Sequence, residues 1–158
     1  MKKILVTSSI LAIVAGIVMV SGGAWGIFFT YKNIIQEKIT TPSDASIPNA
    51  PVVGPLTLKA QADIIREHTL NTTGGKVYAE MPRQITKLDA NGAPVLDENG
   101  KPVMVANTAR DMWITATALT TALNLGIITY AFSGLILFFG LVSIWTGITF
   151  YILSKQFK

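Results

Sequence analysis

Two runs without a charged residue dominate the chain: residues 4–31, between Lys3 and Lys32, and residues 112–154, between Asp111 and Lys155. The first is about 28 residues long, as is the most apolar part of the second, residues 126–153. A membrane-crossing helix needs about 20 apolar residues at 1.5 Å each. Both runs therefore predict transmembrane helices, with length to spare for tilt. Aromatic residues gather at their edges. Trp25, Phe28, Phe29 and Tyr31 close the first; Tyr130 opens the second, and Trp145, Phe150 and Tyr151 lie toward its end. Tyr and Trp rings are amphipathic and favour the membrane–water interface.

The predicted divisions are a transmembrane helix in 1–34, an extracytoplasmic segment in 35–111, and a long helix with a cytoplasmic tail in 112–158. The fold class expected is a mainly α membrane protein: a hairpin of two long helices extending outward, with a small extracytoplasmic α+β segment. A helix over 108–153 is about 69 Å long, over twice the hydrocarbon thickness, so its outer half is expected to carry the outer segment. The alternative for 112–124 is to lie flat on the membrane surface. The first run also has features of a cleaved signal peptide, namely Lys2, Lys3 and the small residues 21–24. Its apolar core is much longer than the usual 7–15 residues, so a retained helix is expected.

Within both runs small residues recur every seven positions. In the second they are Gly126, Ser133, Gly140, Gly147 and Ser154, with Tyr130, Leu137, Ile144 and Tyr151 offset by four. In the first they are Ser9, Gly16, Gly23 and Thr30, with Ile13, Val20, Ile27 and Ile34 in the other phase. Alternating steps of four and three keep one helix face in view. Small residues admit close backbone approach, and large neighbours fill the opposing grooves. These stripes are expected to pair, within one chain or between chains, with a left-handed crossing. Small residues are also simply common in membrane helices, and the single GxxxG at Gly22 and Gly26 is weak evidence.

Between the runs, residues 40–55 are rich in Pro, Ser and Asn and predict a linker or irregular loop. Thr57 is placed to cap a helix over 58–71, with Leu58, Ala62, Ile65 and Thr69 on one face and Lys59 and Asp63 paired at i, i+4. Gly74 and Gly75 end it. Residues 88–103 repeat LDANGAPV as LDENGKPV. Asn-Gly marks tight turns, so with MPRQITKL before and VMVAN after, a small β-hairpin or meander is expected there, with Pro94 and Pro102 restricted to edge positions. Asp89, Asn91, Asp97 and Asn99 read as turn chemistry, because a calcium loop needs more oxygen ligands and a bidentate Glu.

The chain of 158 residues is 50% hydrophobic and 14% charged, with a mean hydropathy of +0.47. Soluble domains carry about 25% charged residues. The net charge of +4 suggests an acidic partner until it is located. Residues 32–111 hold nine acidic and nine basic residues; the surplus is Lys2, Lys3, Lys155 and Lys158 on the tails. Basic residues flanking spans stay cytoplasmic, so both termini are expected inside a bacterial plasma membrane, with 35–111 outside. Nucleic acid is excluded as an expected partner, since no basic patch remains to neutralise phosphates.

Catalytic chemistry is sparse. There is no cysteine and one histidine, His68, so no metal and no cofactor are expected. No P-loop, GxGxxG, HExxH or GxSxG motif is present. Residues 62–81, ADIIREHTLNTTGGKVYAEM, carry His68, Gly74, Gly75, Tyr78, Ala79 and Glu80 in a His-x(5)-Gly-Gly-x-x-Tyr-Ala-Glu pattern. That stretch and the two-helix layout resemble small, mostly actinobacterial, membrane proteins of uncharacterised function often labelled aromatic ring-opening dioxygenase. Such enzymes bind iron mainly through histidines and a carboxylate, and one histidine does not supply that set. The resemblance implies a membrane protein rather than that activity. The expected function is a non-enzymatic envelope interaction or scaffold protein, or a complex subunit. It would contact the lipid bilayer and self-associate or bind another membrane protein through the small-residue faces. The alternatives are an oligomeric channel or transport accessory, using a face with Thr115, Thr120, Thr129, Ser133, Ser143 and Thr146, and, less favoured, an enzyme using Glu67, His68 or Glu80.

Overall fold

The computed structural model describes residues 1–156; Lys158, one of the four surplus lysines, lies outside the described residues. Helix α1 spans Lys2–Gln36, α2 spans Pro55–Thr72 and α3 spans Thr108–Ser154. A 3-10 turn, Tyr78–Glu80, and a two-stranded antiparallel sheet, β1 (Gln84–Thr86) and β2 (Met104–Ala106), fill the connection between α2 and α3. The chain is thus mainly helical, and α1 and α3 are both long and apolar enough to cross a membrane. The 47 residues of α3 form one unbroken helix, about 70 Å long at 1.5 Å per residue. Residues 112–124 therefore continue the helix instead of departing from it.

The helices α1 and α3 run antiparallel along most of their length, so Lys2, Lys3 and Lys155 lie at one end of the hairpin. At the other, distal, end α2 packs onto α3 beside the last turns of α1. The buried core there is Val52, Leu58, Ala62 and Leu123, with Ile34, Ile39, Ile65, Ile127 and Tyr130 packed around it. Leu58, 1% exposed, stands against Gly126, where the missing side chain leaves room for it.

Two local expectations are corrected and a third is narrowed. Helix α2 begins at Pro55, not 58, because Thr57 works from inside the first turn. Its hydroxyl oxygen accepts from the Val53 and Gly54 amides at 3.0 and 3.2 Å, and Pro55 occupies the position where a missing N–H costs nothing. Of the two readings of residues 40–55, the irregular loop holds: residues 37–54 are turns and bends tied by their own hydrogen bonds. Thr41, 1% exposed, accepts from the Ala50 amide at 2.9 Å and donates to the Ile47 carbonyl, and Val52 N donates to Ile39 O at 2.9 Å.

The second correction concerns residues 88–103, which hold no single hairpin. The paired strands lie outside them, with Ile85 opposite Val105. Inside are two successive loops, one per repeat. In each, an aspartate carboxylate accepts from the amides two and four residues on: Asp89 from Asn91 and Ala93, Asp97 from Asn99 and Lys101. Gly92 and Gly100 take positive φ of 80° and 74°, the left-handed residue of a three-residue turn with a bulge. The loop bases close a ring of hydrogen bonds: Lys87 N to Val103 O, Val103 N to Val95 O and Val95 N to Lys87 O. The eight-residue repeat thus generates two equivalent loops on one closed base.

Candidate interaction site: the helix seam and the distal cleft

The small-residue stripes of α1 and α3 face each other. A Cβ on Gly16 would stand 2.7 Å from Gly140 O and 2.6 Å from the Ile144 side chain. One on Gly23 would meet Ser133 O and Leu137 N at 2.7 Å. One on Gly140 would meet Val20 N at 2.7 Å, and one on Gly147 would meet Ser9 O at 2.9 Å and Ile13 Cγ1 at 2.6 Å. Each glycine therefore receives a large residue of the opposite helix: Ile144 on Gly16, Leu137 on Gly23, Val20 on Gly140 and Ile13 on Gly147.

Hydroxyls close the same contact. Ser9 Oγ, buried, donates to Gly147 O at 2.7 Å, and Ser143 Oγ donates to Ala12 O at 2.8 Å. In a seam with little water, a serine that reaches the facing backbone leaves no polar group unpaired. Thr30 is buried but donates to Gly26 O in its own helix, 2.8 Å away.

Gly126 departs from the stripe: its neighbours are Leu58 of α2 and Ile34 of α1, so it serves the three-helix packing. Of the GxxxG pair, Gly26 touches Ser133 while Gly22 has no neighbour within 4 Å. Of the proposed polar face, Thr115, Thr120, Thr129 and Thr146 donate to carbonyls of their own helix, and Ser133 and Ser143 belong to the seam. Lys2, Lys3 and Lys155 are exposed, and Lys155 Nζ lies 4.8 Å from the Tyr151 ring centre.

The residues of the His-Gly-Gly-Tyr-Ala-Glu pattern hold the end of α2. Gly74 and Gly75 take φ of 63° and 78°, and Gly75 N returns to Leu70 O at 2.8 Å. Glu80 accepts from the Val77 amide, and the Arg110 guanidinium lies 4.0 Å from the Tyr78 ring centre. Trp113, 5% exposed, locks this turn to α3. Its indole N–H donates to Lys76 O at 2.9 Å, with Thr73 Oγ1 at 3.3 Å. Asn107 joins the sheet to α3: its Oδ1 accepts from Ala109 N and its Nδ2 donates to Pro82 O.

His68 faces the 37–54 segment, with Nε2 2.7 Å from Asp44 Oδ2. That hydrogen bond, then one to its own backbone amide, holds the Asp44 carboxyl below its usual range. A depressed carboxylate contributes stability that is present above its ordinary pKa and lost as pH falls through the lowered one. Asp44→Asn is expected to speed amide exchange in 40–50 at neutral pH, with little change in overall melting because both partners are exposed. Exchange unchanged at those amides would refute the clasp.

Sequence patterning missed a cleft of about 620 Å³ at the distal end, between α1, α2 and α3. Phe29 and Glu37 of α1, Leu58 and Gln61 of α2, and Leu125 and Gly126 of α3 are among the residues that line it. Gln61 Oε1 is shut off from solvent and has no hydrogen-bond partner among the described residues. A glutamine on the flank of an apolar helix face was the available signal. Among the described residues no group of three or more His, Asp or Glu side chains is placed to hold a metal. Comparison with known proteins finds no family model, curated protein or solved structure that matches the chain.

Proposed function

We propose that this chain is a non-enzymatic integral membrane protein of a bacterial plasma membrane, serving as an interaction or scaffold subunit. Both termini are cytoplasmic and residues 35–111 lie outside. The observation that carries the reading is the seam. Glycines and serines bind α1 to α3 within the chain, and α3 continues past α1 as one rod that braces α2 and the turn at Tyr78–Glu80. This is the build of a rigid post that presents a small module at a fixed height. Large apolar side chains on the outward faces, among them Val18, Trp25, Phe132, Phe138 and Trp145, suit contact with lipid. Because the small residues are engaged internally, a partner meets other faces: the lipid-facing sides or the cap, residues 37–107 at the distal end of the hairpin. The likeness of residues 62–81 to small two-helix membrane proteins agrees with this layout.

Orientation is testable because the chain has no cysteine. In intact cells, a membrane-impermeant thiol reagent is expected to label Asp97→Cys and to spare Lys3→Cys; the reverse pattern refutes the orientation. Cross-linking in native membranes is expected to trap a second copy or another membrane protein. A strictly monomeric species would refute the scaffold role.

A further inference from the structure

We propose that the turn at residues 51–56 rests on the outer surface of the bilayer, with the Leu56 side chain set among the lipid headgroups and upper acyl chains. The inference rests on the reading that α1 and α3 cross a membrane with this end outward. Residues 45–58, ASIPNAPVVGPLTL, are the longest stretch without a charge between Lys32 and Asp111. The fold holds that stretch at one height. Tyr130 Oη donates to Val53 O at 2.8 Å, and Leu58 lies against Gly126, which also neighbours Ile34 of α1. The turn therefore sits at the level of Lys32, where the charge-free run of α1 ends. That run, residues 4–31, is about 42 Å long, the thickness of a bilayer with its headgroups, about 40–45 Å. The level of Lys32 is then the outer membrane surface.

Helix α2 runs from this level outward, its far end bonded to Trp113, so its N-terminus faces the bilayer. Helical side chains lean toward the N-terminus of their own helix. Leu56, in the first turn of α2 and 77% exposed, thus leans toward the membrane with no protein over it. Exposed Phe28, Leu125 and Ile128 bring the apolar surface of the two long helices up to the same height, so the leucine continues a lipid-facing surface. The backbone suits a place with little water, where unpaired polar groups are costly. Every amide donor from 51 to 55 is absent or engaged. Pro51 and Pro55 have none; Val52 N donates to Ile39 O at 2.9 Å, and Val53 N and Gly54 N donate to Thr57 Oγ1 at 3.0 and 3.2 Å. The cap that holds them is an uncharged hydroxyl, and the Val53 carbonyl is covered by Tyr130.

The test uses the full chain, which has no cysteine, in bilayers of phosphatidylethanolamine and phosphatidylglycerol. A nitroxide is attached in turn to Leu56→Cys, Phe138→Cys and Asp97→Cys, all exposed positions whose replacement leaves the packed core intact. Its collisions with oxygen, which concentrates in lipid, are compared with those of a water-soluble nickel complex. At Leu56 oxygen is expected to dominate, at a depth about 5–10 Å into the headgroup and acyl boundary. Phe138, near mid-span, is expected to read deeper, and Asp97, on an outer loop, to show the reverse order. The same label at Asp97 checks that the nitroxide does not draw its own site into lipid. If Phe138 reads as water-exposed, the membrane reading itself falls. If Phe138 lies in lipid while Leu56 reads like Asp97, the surface contact is overturned and the membrane reading stands. Shielding of Leu56 from both reagents also overturns it, because a second copy or another protein then covers the leucine.

Discussion

Gly140→Leu is expected to separate α1 from α3 and to cost about 1–3 kcal/mol or more, the scale of overpacking a close-fitted contact. The first added atom already has nowhere to go. A Cβ at this position would lie 2.7 Å from Val20 N and 2.9 Å from Gly16 O, both backbone atoms that no rotamer change moves aside. Gly140→Ala should therefore destabilise measurably, and Gly140→Leu more, since its longer side chain must also displace Val20. Gly22→Ala and Gly134→Ala are the matched controls. Neither glycine has a neighbour within 4 Å, so adding a methyl group should be neutral or slightly stabilising. The measurement is thermal unfolding in one detergent, paired with a disulfide-trapping assay between cysteines placed on the two helices. If Gly140→Leu melts with the Gly22→Ala control and traps as readily as the parent, the seam does not hold the hairpin together.

The same contact explains why so much of the architecture is readable along the chain. An uncharged run near 28 residues has few folded outcomes, and a seven-residue alternation of small and large states both the face and its complement. Val20 with Gly140 and Ile13 with Gly147 are two halves of one pattern, each written on its own helix. What escaped has a different physical origin. The start of α2 depends on Thr57 acting from the third helical position, and the Ser- and Pro-rich composition around Thr41 conceals a hydroxyl that organises its loop. In the repeat, Asp89 and Asp97 take over amides that a plain hairpin would pair across strands. The cleft is the extreme case: Phe29, Gln61 and Gly126 come from three helices, and no local period connects them. Sequence periodicity reports the face of one element, whereas a cavity is what remains where several faces fail to fill space.

Trp113→Ala is the second large effect, about 3–5 kcal/mol from the packing loss alone. Trp113 is 5% exposed, and its ring lies 5.6 Å from the Arg66 guanidinium, so its removal opens the contact between α2 and α3. It also leaves Lys76 O without its 2.9 Å donor, loosening the turn that ends α2. Trp113→Phe separates the contributions: it keeps much of the ring and loses the N–H, so it should cost roughly 1 kcal/mol, the net value of one hydrogen bond. The damage should be local. Along α3, Ser133 stands about 30 Å from Trp113 at 1.5 Å per residue, and the seam with α1 extends away from there. Hydrogen exchange is expected to rise across residues 58–107 while amides of 133–147 keep their protection. Uniform loss of protection would mean that the cap and the seam unfold as one unit. The confined loss would identify the seam as a separate, more stable unit from which the cap is held out.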